Sequence, residues 1–426
     1  MTDTAKPIQL ERVGRWTSLR VPEYRWLWGG AAASFLSVQM MFVARGWLAW
    51  QLTEQNLALG GVYLVFGLVM LIGMPLGGVA TDRVPKRLLL STSTGVMVVT
   101  QIVMATLIAT EVVHYWMLLV TAVAEGLAFS LIAPARVAMA GVAVGPRLMS
   151  NAIVLQQIAM NSTRIFGPAL AGAILGIYGD EDLTGLTIIY YVSAAVMVIA
   201  FVSTFFLPPG LPTGRSGHSP MQELRGGVEH VRGDPRLLGL VVVSLLVTMI
   251  AFPYVALLAA YADEVLEIGG DGFGRLMAVS AIGGVGAAVF SADRADGPSA
   301  NRLQTGFGFG FGAGLIFVSL ASSFPVAMMA MIVIGLSATG FQALNNTLAL
   351  SYAAPAFHGR VQGLLMMSFG AFGIAALPLG AVADAVGIRQ TIFCMGAVAI
   401  LVMLGYVLYR RSLHLAPGGA SVELPR

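Results

Sequence analysis

Two ionisable side chains stand inside apolar runs too long for water to reach: Glu125, flanked by Val123 and Leu127, and Arg164, deep in the run from 151 to 178. An unpaired carboxylate in such surroundings costs several kcal/mol or takes up a proton. Glu125 is therefore the candidate proton-binding group. Counting about 1.5 Å per residue inward from the ends of the two runs brings Arg164 to nearly the same depth, which predicts an ion pair between neighbouring helices. Protonation of Glu125 would then free Arg164 for a substrate acid, or a cationic substrate would compete with the proton for Glu125. A permanent staple between the two helices is the structural alternative.

Other polar residues interrupt the apolar runs. Arg45, in Ala44-Arg45-Gly46-Trp47-Leu48-Ala49-Trp50, is expected near the outer end of its helix, snorkelling to water with Trp47 and Trp50 as interfacial anchors, with a place in a central cavity as the alternative. The amides Gln39, Asn161, Gln342, Asn345 and Asn346 either line that cavity or hydrogen-bond between helices. Asp263 and Asp384 are expected to be solvated at helix ends. The histidines His114, His218, His230, His358 and His414 are scattered, so no metal site is predicted. Gly306-Phe307-Gly308-Phe309-Gly310 follows no strand and reads as helix packing rather than dinucleotide binding. The single cysteine, Cys394, reads as packing and excludes an intrachain disulfide.

The elements that must hold these residues are membrane helices. Of 426 residues, 57% are hydrophobic and only 11% charged, and mean hydropathy is +0.82; a soluble domain carries about 25% charged residues. Apolar runs predict spans at 26–50, 60–80, 88–110, 115–136, 151–178 and 187–207, then at 237–261, 273–291, 304–321, 325–351, 362–386 and 391–409. This gives an all-α integral membrane protein with twelve transmembrane helices in two pseudo-symmetric six-helix bundles, residues 1–207 and 237–426, joined by a linker at 208–236. The linker opens on Pro208-Pro209-Gly210, and Met221-Gln222-Glu223-Leu224-Arg225 within it predicts a short surface helix. The halves echo one another. Gly167-Pro168-Ala169-Leu170-Ala171-Gly172 has a weak counterpart in Ala376-Leu377-Pro378-Leu379-Gly380-Ala381, and Ala292-Asp293-Arg294-Ala295-Asp296 is a decayed copy of the loop at 77–87.

Basic residues set the orientation. With the N-terminus in the cytoplasm, all of the 24 Lys and Arg except Arg45, Arg164, Arg275 and Arg389 fall on inner segments. The outer turn Gly179-Asp180-Glu181-Asp182 is acidic. Both termini are expected inside. No cleavage site follows the first segment, so the first helix is expected to be retained. The basic residues are dispersed among loops, which argues against nucleic-acid binding.

Gly77-Gly78-Val79-Ala80-Thr81-Asp82-Arg83-Val84-Pro85-Lys86-Arg87 places one acid and three bases in a short turn between two apolar runs. It resembles the loop between helices 2 and 3 of major facilitator superfamily transporters, roughly G-x-L-A-D-R-x-G-R-K, with Gly78, Asp82, Arg83, Lys86 and Arg87 on matching positions and Pro85 where the family prefers Gly. The family's span 4 pattern, roughly R-x-x-Q-G-x-G, is met by Gly126, with Glu125 in the Gln slot and Ala122 in the Arg slot. The span 5 antiporter pattern, roughly G-x-x-x-G-P-x-x-G-G, is met by Gly167, Pro168 and Gly172, with Thr163 and Ala171 as departures. The run 44–53 and Pro134-Ala135-Arg136 resemble the proton-driven drug and siderophore exporter branch.

The resemblance implies alternating access in the cell membrane, with export of a small amphipathic compound in exchange for protons and the proton gradient in place of a cofactor. Asp82 would latch an inner gate against the start of span 11 near Arg360, with Arg83, Lys86 and Arg87 making ion pairs or binding lipid headgroups. Gly167, Pro168 and Gly172 would thin a helix for close packing. The implied partners are substrate, protons and lipid, without nucleic acid, and the implied state is a monomer. Uptake or facilitated diffusion on the same fold stays open, as does, more remotely, a non-transporting sensor or assembly factor. No nucleophile–base pair or metal cluster suggests an enzyme.

Overall fold

The structure is a computed structural model that describes residues 14, 16–178, 183–212, 220–292, 299–354 and 357–415. The acidic turn at 179–182 and the loop copy at 293–296 lie outside the described residues, as do His218 and the side chain of His414. All the regular structure described is helical. The α-helices are α1 (Pro22–Thr53), α2 (Asn56–Arg83), α3 (Lys86–Ala109), α4 (Tyr115–Tyr178), α5 (Thr184–Ser203), α6 (Pro220–Gly233), α7 (Pro235–Ile250), α8 (Tyr254–Ala260), α9 (Gly269–Ala292), α10 (Ala300–Ser319), α11 (Phe324–Tyr352), α12 (His358–Val386) and α13 (Ile388–Leu415). Ten described stretches are long and apolar enough to cross a membrane. Helices are the answer to lipid because each satisfies its own backbone N–H and C=O groups.

Large apolar side chains cover the outside: Ile72, Val99, Val120, Ile177, Val289 and Leu401 are all exposed. That apolar surface suits a lipid boundary. Glu125, Arg45, Gln342, Asn345 and Asn346 are instead buried in the interior.

α4 carries two of the predicted spans. It breaks at Gly145, whose φ of 71° is open to glycine and strained for other residues, and Pro146 then starts the next segment without an N–H to donate backward. The chain reverses there, so Glu125 and Arg164 lie on separate arms of α4. The predicted linker helix forms as α6, which lies against the start of α12.

One end of the molecule, here the proximal end, carries the start of α1, the α2–α3 loop, α6 and the end of α13. The opposite, distal end holds the α1–α2 turn and the end of α12. The two sequence halves approach closely toward the distal end. Gly172 of α4 and Gly274 of α9 pack backbone against backbone, so that a Cβ on either would strike the other's carbonyl oxygen. Gly60 of α2 meets the Ala376 carbonyl of α12 in the same way. Absent side chains, rather than interlocking ones, allow this approach.

Candidate functional site

Between the halves lies a cavity of about 700 Å³. α1 contributes Gln39 and Phe42, α2 Tyr63 and Phe66, the second arm of α4 Asn161, Arg164 and Pro168, α9 Ser280, α11 Gln342, and α12 Phe372. Its distal roof is aromatic. Phe372 lies 5.4 Å from Phe42 and 5.5 Å from Tyr63, centroid to centroid, and the Tyr63 hydroxyl donates to the Phe42 carbonyl at 2.7 Å. Toward the proximal end the lining extends to Ser291 and Thr347.

Glu125 is 2% exposed and forms an ion pair with Arg45, itself 6% exposed. Thr100 of α3 donates its hydroxyl to Glu125 Oε1 at 3.2 Å. The Arg45 guanidinium lies 5.5 Å from the centroid of Phe66, a ring that also lines the cavity. The charge pair thus sits behind the cavity wall and is not itself part of its lining. Two buried charges are tolerated because each supplies the other's counter-charge and hydrogen bonds.

This corrects two expectations. Glu125 pairs with Arg45 of α1 instead of Arg164. Depth along a helix follows from residue counting, but the direction a side chain takes around the helix does not, and Arg164 is turned into the cavity. Arg45 does not snorkel, and Trp47 and Trp50 are not interfacial anchors. Both tryptophans are buried: Trp47 stacks on Phe273 of α9 at 5.2 Å, and Trp50 Nε1 donates to Asp263 at 2.9 Å. The basic group missing from the slot held by Ala122, which is fully buried, is supplied by a different helix.

The amides divide. Gln39, Asn161 and Gln342 line the cavity. Asn345 is fully buried and accepts from Gln304 Nε2 at 3.3 Å, and Asn346 is buried in the same helix outside the lining. Gly167 packs on Gln39, Pro168 lines the cavity, and Gly172 makes the approach to Gly274.

Asp263 and Asp384 are not simply solvated. Asp384 Oδ1 accepts from the Asn56 backbone N–H and from Asn56 Nδ2, each at 2.9 Å, while Oδ2 accepts from the Leu57 N–H at 2.8 Å. The carboxylate at the end of α12 therefore caps the first turn of α2, where unsatisfied N–H groups and the helix dipole favour an anion. Together with Trp50–Asp263, this contact ties the halves at the distal end. No local pattern signals either contact, because the partners are more than two hundred residues apart.

The proximal loop behaves differently from its expectation. Lys86 is buried; its Nζ donates to the Leu211 carbonyl at 2.9 Å and its backbone N–H to that of Gly210 at 2.9 Å. Arg87 donates to the Leu207 carbonyl at 3.4 Å and sits over Phe205. These two bases hold the chain where it runs into the linker; Lys86 is buried there and does not reach lipid headgroups, while Arg87 is half-buried. Arg360 lies against Gly226 and Gly227 of α6, with Phe357 beneath its guanidinium. Asp82 is half-buried in the last turn of α2, Arg83 is exposed, and nothing stands within 4 Å of a Cβ on Gly78.

Arg136 is more than an orientation signal. It is 4% exposed, donates from Nη2 to Ser34 Oγ at 2.7 Å and lies 4.9 Å over Phe35. Its place within Ile132-Ala133-Pro134-Ala135-Arg136-Val137, apolar on both sides, is the sequence signal that points to its burial.

Long apolar helices, halves in close contact at one end and a central cavity between them define a transporter fold. The family model of the Major Facilitator Superfamily matches residues 27–378, and the chain belongs to that superfamily. It is 22% identical over 358 residues to the staphyloferrin A transporter of Staphylococcus aureus (strain NCTC 8325 / PS 47), covering 82% of this chain and 86% of that protein. A bacterial homologue of the human lysosomal transporter Spinster, solved inward-facing and unoccupied, superposes with a TM-score of 0.70 at 14% identity, over 92% of this chain and 97% of that one. The nucleoside transporter NupG superposes with a TM-score of 0.66 at 13% identity, over 91% of this chain and 99% of that one.

Proposed function

We propose that this transporter exports a small amphipathic compound, drug-like or siderophore-like, in exchange for protons. The observation that carries the reading is the Arg45–Glu125 pair, buried behind the wall of the central cavity. Protonating Glu125 removes its charge and leaves Arg45 buried without a counter-charge, an expensive state that a rearranged site relieves. A proton thereby biases the equilibrium between two arrangements of the halves. The proton gradient supplies the energy without a cofactor.

The twelve spans form two six-helix bundles, 1–207 and 237–426, rocking about the cavity. By the distribution of basic residues the proximal end is cytoplasmic, so the arrangement with distal ends together faces inward. The resemblance of 44–53 to the exporter branch supports export, and the likeness to the staphyloferrin A transporter supports a siderophore-like cargo. Asp82 with Arg83 would engage the start of α12 near Arg360 when the proximal side closes.

The test is reconstitution in liposomes with an imposed pH gradient. Lipophilic cations and chelator-like anions are followed together with internal pH, with Glu125→Gln in parallel. Substrate flux opposed to proton flux, lost in the variant, is the expected result; normal coupled transport by Glu125→Gln overturns the role of Glu125. A second reading, uptake or facilitated diffusion, is favoured by Thr163 and Ala171, which interrupt the span 5 pattern. It requires flux independent of the gradient or running with it.

A further inference from the structure

We propose that the compound carried is an organic anion with a hydrogen-bond donor at its opposite end, gripped by Arg164 from one half of the chain and Gln342 from the other. The inference rests on the reading of the cavity as the transport site. Among the described residues lining the cavity, Arg164 is the one with a formal charge. Glu125, the acid that would attract a cation, is outside the lining and already neutralised by Arg45. A cation entering the cavity therefore meets a guanidinium and finds no accessible carboxylate among these residues.

The opposite wall asks for something else. Gln342 of α11 is 7% exposed, lines the cavity, and has a buried side-chain oxygen with no hydrogen-bond partner among the described residues. Ser291 of α9, 4% exposed, also lines the cavity, and its hydroxyl has no partner among the described residues. Both oxygens are turned away from the open space; a buried acceptor left unsatisfied is costly, and rotation of either side chain toward the cavity lets a ligand N–H or O–H remove that cost. Arg164 offers a planar fork of five N–H donors, enough to keep a protein contact and still hold a carboxylate.

Phe42, Tyr63, Phe66, Phe252 and Phe372 supply the walls between, which suits an apolar or aromatic body. A cavity of about 700 Å³ takes a drug-sized molecule. Because Arg164 and Gln342 belong to different halves, such a ligand favours the arrangement in which both reach it, which links occupancy to closure.

The purified full chain in detergent is titrated with 7-amino-4-methylcoumarin-3-acetic acid, its primary amide and its N-(2-aminoethyl)amide, which share a fluorescent aromatic body and an aryl N–H donor at the far end but differ in charge. Fluorescence reads the binding. The acid is expected to bind at least about tenfold more tightly than the amide or the amine. Arg164→Gln abolishes that preference, the acid losing more affinity than the amide, Arg164→Lys keeps part of it, and Gln342→Leu weakens acid and amide alike. Equal affinities in the wild-type chain, preference for the amine, or a preference that survives Arg164→Gln overturns the proposal. These measurements need no gradient and no direction of flux. Anion preference without antiport would sink the export reading alone, and proton-coupled export of a cation would sink this one alone.

Discussion

Asp384 holds Asn56 by both its backbone N–H and its side-chain amide, and the same carboxylate reaches Leu57. An acid at the last turn of one helix thus caps the first turn of another from the opposite half of the chain. The contact exists only while the distal ends are together, so it stabilises the distal-closed arrangement specifically. Losing a carboxylate cap costs about 1 kcal/mol, roughly fivefold in a population. Asp384→Ala is expected to open the distal side by about that factor. Spin labels at Ile177 and Val386, both exposed, in a Cys394→Ser background would report a longer distal distance. An unchanged distance distribution would remove the latch role.

The Arg45–Glu125 pair separates stability from function. Removing one partner by Arg45→Ala or Glu125→Ala leaves a buried charge unpaired, expected to cost about 3–5 kcal/mol. Replacing both, as Arg45→Met with Glu125→Leu, is expected to recover most of that loss in a detergent thermal melt while proton coupling stays absent. Coupled transport by the double variant would exclude the pair as the coupling site.

Gly172 and Gly274 test whether the distal contact must close during transport. Gly172→Val would force its side chain into the Gly274 backbone, which belongs to a rigid helix and cannot yield as a side-chain tip would. The variant is expected to fold, to lose transport and, combined with Ser280→Cys in the Cys394→Ser background, to admit impermeant thiol reagents from the distal side. Transport at the wild-type rate would show that the approach is not needed.

Lys86 fastens the linker. Lys86→Met removes the Nζ donation to the Leu211 carbonyl but keeps the aliphatic stem. Faster amide hydrogen exchange at Leu207, Gly210 and Leu211, the residues of this stretch that carry an N–H, with little change in the helices, is the expected result. Unaltered exchange there would mean that the backbone contact between Lys86 and Gly210 suffices.

Much of the architecture is legible along the chain because hydropathy and charge act locally. A run such as 88–110 must be helical in lipid whatever surrounds it, and α3 covers Lys86–Ala109. The charged loop after α2 points to the family for the same reason: its residues are contiguous. Glu125 can be singled out as a buried acid because its immediate neighbours are apolar. Its partner cannot. Residue counting brings Glu125 and Arg164 to nearly one depth and leaves Arg45 nearer the outer end, yet it is Arg45 that meets Glu125, because where each helix sits and how it is rotated are set by packing across the whole fold. The contacts of Asp263 and Asp384, the burial of Trp47 and Trp50, and the turn of Arg164 toward the cavity arise likewise from where distant helices meet. Local composition puts a charge in the membrane; only tertiary packing chooses its counter-charge and decides which side of the wall it occupies.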